Sequence, residues 1–249
     1  FTPVYPPFLG CHRDAGAEAL HLPLARDATG RFFPDAAAFE AALTPRTRLL
    51  HLCNPHNPVG RAFTPAELES LASVCARHGI VLSSDEIHCD LILNDAATPH
   101  TSAAHFEGRD GLRTITLLAP SKTYNIAGLG LSFALIPNAD LRRRFKLARG
   151  RLVPFPNLLA FAAGEAAYRA GSPWCHALIA YLNDNLRLVR ERMEPLAPAL
   201  KLTVPEATYL ERYDETTPQY RKTVEDLVQK SLAYYRDFIL PTKVYGRPD

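Results

Sequence analysis

Two short segments carry the residues best suited to chemistry. The first is Ser84-Asp85-Glu86-Ile87-His88, at the end of an apolar run. The second is Ala119-Pro120-Ser121-Lys122-Thr123-Tyr124-Asn125-Ile126-Ala127-Gly128-Leu129, at the end of another. One sets a carboxylate, and the other a lysine, just beyond a buried strand. A lysine that reacts as an amine and a carboxylate that stays ionised are the two groups a pyridoxal phosphate (PLP) site needs most. Free lysine has a pKa of about 10.4, so burial and a neighbouring cation must lower it before the amine can act. A carboxylate behind Val81-Leu82-Ser83-Ser84 is costly unless a positive group compensates it, and a protonated pyridine nitrogen is such a group.

Other residues fit the same ring. Asn57 lies in Asn54-Pro55-His56-Asn57-Pro58-Val59-Gly60, a tight loop from which its amide can donate to a phenolate oxygen. His88, three residues past Asp85, is close enough to tune that oxygen. Tyr5, ahead of Pro6-Pro7, can lie flat on the ring by aromatic stacking. Ser121 can hydrogen-bond a phosphate. Each residue taken singly has an ordinary reading as well. Lys122 reads as a loop lysine, Asp85 as a helix cap or ion-pair partner, and Asn57 as part of a plain turn. His88 reads as a satisfied histidine, Tyr5 as a core or surface aromatic, and Ser121 as a turn cap. Glu86 is assigned to structure. Gly128-x-Gly130 lacks the spacing of a dinucleotide loop. His100 and His105, with Asp90 or Asp95, match no helical metal-ligand pattern, so no metal is expected.

The elements that must hold these groups alternate in type. Leu20–Leu24 reads as a short strand. Asp35 is placed to cap a helix over Ala36–Leu43. Thr47–Cys53 reads as a strand that ends at the Asn54-Pro55 turn signal. Thr64-Pro65-Ala66-Glu67 has a threonine cap, proline at the first helical position and a glutamate able to reach back. Gly79 closes that helix in a left-handed conformation. Strands follow at Ile80–Asp85, Thr114–Leu118 and Phe133–Ile136. Continuous apolar strands between helices mark a mostly parallel sheet covered on both faces. Ligands bind such sheets beyond the carboxyl ends of the strands, where Asn54–Gly60, Asp85–His88 and Ser121–Lys122 all fall. Arg142–Arg151 reads as a helix with a solvated basic face. Leu158–Tyr168 and His176–Met193 read as amphipathic helices, the second with a buried stripe of Ile179, Leu182, Leu186, Val189 and Met193. Leu200–Val204 reads as a strand and Tyr220–Ile239 as a helix.

Composition limits the classes. The 249 residues are 47% hydrophobic and carry a formal net charge of +2. That charge gives no reason to expect nucleic acid or membrane as a partner, and no apolar run approaches the ~20 residues of a membrane span. Five scattered cysteines, Cys11, Cys53, Cys75, Cys89 and Cys175, read as reduced thiols of a cytoplasmic protein. The chain starts at Phe1 and its one methionine is Met193, so a partial chain is expected.

The segments NPHNPVGRAFTPAEL, SSDEIHCDL and APSKTYNIAGL resemble the fold-type I PLP enzymes. More narrowly, they resemble the MalY/PatB branch of the aminotransferase class I/II superfamily, whose members are mostly cystathionine β-lyases, or C–S lyases. The likeness runs from Phe1 to about Leu210, where PEATYL resembles the start of a small-domain sheet. It implies an α/β fold: a PLP-transferase-like large domain over residues 1–150, truncated at its N-terminus, with a mostly parallel sheet and helices on both faces. Residues 151–210 would form the interdomain helix and the start of a small α+β domain, and residues 211–249 match nothing in the pattern. By resemblance, Lys122 carries the cofactor and acts in catalysis, Asp85 pairs with its ring nitrogen and Asn57 bonds its phenolic oxygen. His88 stands where many relatives have tyrosine, Tyr5 stacks on the ring, and Ser121 lies on the phosphate side. The implied activity is β-elimination from a sulfur amino acid, giving thiol, pyruvate and ammonia, in a homodimer. Departures exist. Gly130 stands where many fold-type I enzymes have a phosphate-binding arginine, and the arginine that grips the substrate carboxylate is not found. Two other readings share these residues: an aminotransferase, and a non-catalytic fragment or regulatory partner of the same fold.

Overall fold

The structure is a computed structural model that describes residues 1–93, 99–151, 153–196 and 204–210. Among the described residues, 1–186 and 204–210 form a first compact unit and 187–196 belong to a second. All residues of the candidate site belong to the first. The elements in order are α1 (Cys11–Asp14), β1 (Ala25–Arg26), β2 (Phe32–Phe33), α2 (Ala36–Ala42), β3 (Leu49–Cys53), α3 (Pro65–Arg77), β4 (Val81–Asp85), β5 (Thr114–Leu118), β6 (Phe133–Leu135), α4 (Ala139–Arg149), α5 (Leu158–Ala170) and α6 (Ser172–Leu196).

Local sequence sets the helix ends. The Asp35 side chain accepts from the amides of Ala37 and Ala38 and starts α2. Thr64 and Glu67 form a full capping box at α3, which satisfies two amides that the first turn leaves unpaired. Gly79, with φ of +63°, follows the last turn of α3. The buried stripe of α3 is Leu68, Leu71, Ala72, Val74 and Cys75.

The main sheet has the order β3-β4-β5-β6. β3, β4 and β5 run parallel, and β6 is antiparallel to β5. Side chains alternate across the sheet. Leu50, Leu52 and Leu82 join Phe39 of α2 and the α3 stripe in the larger core, capped by Phe63, Phe106 and Leu112. Val81, Ile115, Leu117 and Ile136 point the other way and meet Leu141 and Phe145 of α4. Helices thus cover both faces, as expected of a largely parallel sheet.

Some expectations need correction. Leu20–Leu24 is not a strand; Pro23 makes one isolated bridge to Thr2, and the paired residues are Ala25–Arg26 with Phe32–Phe33. The apolar run lacks a neighbouring strand, and pairing shifts to where the chain can turn back on itself. The face by which α5 packs is made of small residues, Ala160, Gly164 and Ala167, while Leu158, Leu159 and Phe161 are exposed. A β-carbon on Gly164 would overlap Leu131 Cδ2, so close approach to the loop after β5 dictates which face is buried. Ile179, Leu182, Leu186 and Val189 of α6 are half-buried. The basic helix α4 uses part of its charge locally, since Arg142 donates to the carbonyls of Ile136 and Pro137. Except for Val204, the strand expected over 200–204 lies outside the described residues, as does the helix expected over 220–239. No described helix is long and apolar enough to cross a membrane.

Candidate active site

Three strands end on one rim. β3 stops at Cys53 and β4 at Asp85, which are paired in register. Asp85 is also in register with Leu117 of β5, so the loop after Leu118 leaves beside it. The backbone splices these ends together: the Asn54 amide donates to Asp85 C=O at 3.0 Å, and the Glu86 amide donates to Leu117 C=O at 2.8 Å. The carboxylate, the Asn57 turn and the lysine loop are therefore neighbours because parallel strands share a direction.

Asp85 is half-buried, and its carboxylate accepts one weak hydrogen bond, from the Ile87 amide at 3.3 Å. Burial pushes this carboxyl above the ordinary carboxylate range; the Ile87 bond and the Lys122 charge oppose the rise, and Glu86 adds to it. Desolvation dominates, so the group lacks a cation strong enough to compensate it. His88 is 2% exposed. Burial, followed by the Lys122 charge, pushes its imidazole down to about 4. Its Nδ1 is buried without a hydrogen-bond partner, and the Tyr209 ring meets it edge-on at 5.4 Å. Lys122 acts electrostatically on both Asp85 and His88, which brings the three together.

Lys122 sits in a loop held from several sides. The Tyr124 amide donates to Pro120 C=O and the Ile126 amide to Ser121 C=O, at 3.0 and 3.2 Å. Thr123 is fully buried, and its hydroxyl donates to Asp90 at 3.4 Å. The Trp174 indole, near the start of α6, donates to Thr123 C=O at 3.2 Å. The Tyr124 and Tyr168 rings meet edge to face. Ser121, half-buried, precedes the lysine directly.

The Asn57 turn is tied to the N-terminal segment. Tyr5 donates its amide to Asn57 C=O at 3.0 Å, and the residue is 44% exposed. The Asn57 amide points at Cys53 Sγ, 3.5 Å away. Both His56 ring nitrogens lie 2.9 Å from carbonyls, those of Cys53 and Pro3, and Asn54 accepts from the Phe63 amide. Tyr5 is thus tied by its backbone to the Asn57 turn that follows β3. Glu86 serves structure, as expected: it is 1% exposed and accepts from the Ala103 amide at 2.8 Å, with His100 Nε2 at 2.9 Å.

Several contributors had no local signal. Thr123, Asp90 and Trp174 position the lysine loop. Val204–Leu210 returns to this rim, where the amides of Glu206 and Ala207 donate to Gly60 C=O, and Thr208 donates to Leu91 C=O. Glu206 reaches Arg31 at 2.7 Å and Arg61 at 3.0 Å. Arg61 is 2% exposed and also pairs with Glu67 at 2.7 Å. The PEATYL string marked the segment but not these partners.

An amine and a carboxylate on one sheet rim, with an unpartnered imidazole and an exposed tyrosine beside the Asn57 turn, can hold a planar group that carries a cationic ring nitrogen. Comparisons with known proteins agree in kind. The family model described as aminotransferase class I and II matches residues 1–234. Cystathionine beta-lyase PatB of Bacillus subtilis is 36% identical over 247 residues, covering 98% of this chain and 62% of the relative. Protein MalY of Escherichia coli is 34% identical over 212 residues, covering 84% of this chain and 53% of the relative. The chain therefore spans between about half and three fifths of the length of these relatives. Among solved structures, cystalysin from Treponema denticola, which contains a pyridoxal 5'-phosphate cofactor, superposes with a TM-score of 0.82 at 30% identity, covering 95% of this chain and 59% of that one.

Proposed function

The chain belongs to the aminotransferase class I and II family, and on that premise we propose that the whole protein is a PLP-dependent carbon–sulfur β-lyase. Its reaction would consume water and release a thiol, pyruvate and ammonia from a sulfur amino acid of the cystathionine type. The observation that carries the reading is Asp85: a half-buried carboxylate at the end of β4, raised by desolvation, that a cation at the site would relieve. The unpartnered His88 Nδ1 beside it supports the same fit.

PLP, when bound, supplies the electron sink that stabilises negative charge at an amino acid's Cα. Lys122 is the residue to hold it, through its Nζ. Asp85 would keep a ring nitrogen protonated, an electrostatic contribution made where charge develops. Asn57 and His88 would face a phenolic oxygen, Tyr5 a ring face and Ser121 a phosphate. With its Nζ free, Lys122 would take the Cα proton of the substrate as general base, and the thiolate would leave from Cβ.

A homodimer and a cytoplasmic setting belong to the same proposal. Phe155, Leu158, Leu159 and Phe161 form an exposed apolar run at 82, 82, 69 and 55% exposure, more than an isolated surface normally leaves to water. The five cysteines are free. Amino transfer is the second reading, favoured by the description of the matching family. It needs the same lysine and aspartate and differs in where Lys122 returns the proton.

The test is incubation of the protein with PLP and cystathionine. A visible absorption band of bound cofactor together with pyruvate release supports the lyase. Keto-acid-dependent amino transfer without pyruvate supports the second reading. Neither band nor product overturns both.

A further inference from the structure

The segment Val204–Leu210 is bound to the rim by contacts that no step above requires. Four side chains from four places meet there: Arg31 beside β2, Arg61 at the end of the Asn57 turn, Glu67 in α3 and Glu206. Arg31 Nε donates to Glu206 Oε1 at 2.7 Å, and Arg61 Nε donates to Oε2 at 3.0 Å. The Ala62 amide also reaches Glu206 Oε2, at 3.3 Å. Arg61 spends its other nitrogens on Glu67 and on Phe32 C=O, at 2.7 and 2.6 Å. The Arg61 carbonyl accepts from the His56 amide at 2.6 Å, so the residue that receives Glu206 also closes the turn that carries Asn57.

We propose that Glu206 is a positioning residue for the site of Asp85, His88 and Lys122: held by Arg31 and Arg61, it clamps Val204–Leu210 onto the Asn54–Arg61 turn and so seats the Tyr209 ring against His88. The inference rests on reading that site as a reaction centre.

Chain geometry links the two ends of the clamp. Between Glu206 and Tyr209 lie only Ala207 and Thr208, both fully buried. Leu93 donates its amide to Glu206 C=O at 2.9 Å, and Thr208 donates to Leu91 C=O at 2.9 Å. Thr208 adopts φ of +71°, a region that β-branched residues avoid unless their surroundings force it. The segment is therefore held against a local preference, and the ion pairs at Glu206 are the strongest contacts available to hold it. Removing the Glu206 carboxylate does not strand Arg61, which keeps Glu67 and the Phe32 carbonyl. The loss falls on the segment.

The groups that act on His88 are Lys122, from the loop after β5, and the Tyr209 ring of the clamped segment, which meets it edge-on. Of these, only Tyr209 depends on Glu206 for its place.

The test uses the whole protein without cofactor or substrate and reads Glu206→Ala by hydrogen exchange and by NMR titration of His88. The amides of Leu93, Ala207 and Thr208 are expected to exchange roughly tenfold faster or more, with Leu82 and Ser84 of β4 unchanged. The His88 midpoint is expected to climb from about 4 toward the ordinary 6.5. Tyr209→Ala is expected to reproduce the His88 shift while the Ala207 amide stays protected. An unmoved His88 midpoint with an opened segment overturns the proposal. Faster exchange in β4 overturns it too, because Glu206 would then support the sheet as a whole. If Glu206→Ala does not fold, Glu206→Gln is read in the same way, and failure of both to fold also overturns it. None of these readouts depends on the lyase activity, which the pyruvate assay tests separately.

Discussion

Asp85 and Lys122 leave adjacent parallel strands on the same side of the sheet, and the amine's charge only weakly offsets the burial of the carboxyl. The carboxylate is therefore built for a stronger cation than the protein supplies. Asp85→Asn should act in opposite directions on stability and activity. The folded carboxyl binds its proton more tightly than the unfolded one, so the wild type loses stability as pH rises from the ordinary 3.8 through the raised value. The amide removes that loss. Urea unfolding should show Asp85→Asn more stable by about 1 kcal/mol at neutral pH, with the gain shrinking as pH falls toward 3.8. Pyruvate formation should fall by roughly 100-fold or more. Equal stability of the two proteins at neutral pH would refute the burial argument.

His88 has the opposite sign. Its folded value of about 4 lies below the ordinary 6.5, so the unfolded chain binds the proton more tightly. Stability is fully present above 6.5 and declines as pH falls toward about 4. The slope from this one group is at most about 1.4 kcal/mol per pH unit. His88→Phe keeps an aromatic ring against Tyr209 and removes the titration. Its unfolding free energy should be flatter than wild type over that interval, measured by urea denaturation in a series of buffers.

The lysine loop offers a prediction about position without contact with any reacting atom. Thr123 is buried and donates to Asp90, and Trp174 donates to the Thr123 carbonyl. Thr123→Val keeps the shape and deletes the hydroxyl bond, leaving the fold less stable by about 1 kcal/mol. Trp174→Phe removes the indole donor and keeps an aromatic ring. Both should lower kcat with little change in KM, because the amine loses its fixed approach while the rest of the rim is intact. A fall confined to KM would contradict this.

Legibility in the sequence followed range. The caps at Asp35 and Thr64, the left-handed Gly79 and the ends of β3, β4 and β5 depend on residues a few positions apart, and each was readable. Asp85 and Lys122 were readable because a polar group at the end of an apolar run stands out. The antiparallel direction of β6 was not, since a three-residue strand carries no directional signal. Nor was the burial of the small-residue face of α5, which depends on how near the loop after β5 approaches. Arg61 and Glu206 are 145 residues apart, and nothing periodic joins them. The terminal helix expected over 220–239 lies outside the described residues.

Gly60 provides the sharpest structural test of how the returning segment meets the rim. Its φ of +69° is a conformation that side chains rarely adopt, and its carbonyl accepts from both Glu206 and Ala207, at 2.7 and 2.9 Å. A β-carbon there would lie 2.6 Å from Pro205 Cβ and 3.3 Å from Leu210 C=O. Gly60→Ala therefore combines a left-handed backbone penalty with a clash against a residue that cannot rotate away. The expected cost is about 1–3 kcal/mol of stability, read from the urea midpoint. The alternative to unfolding is that Val204–Leu210 lifts from the turn. In that case the amide of Ala207 exchanges faster while those of Leu82 and Ser84 in β4 keep their protection. A stability equal to wild type, with Ala207 still protected, would mean that the turn and the segment do not press on each other as described.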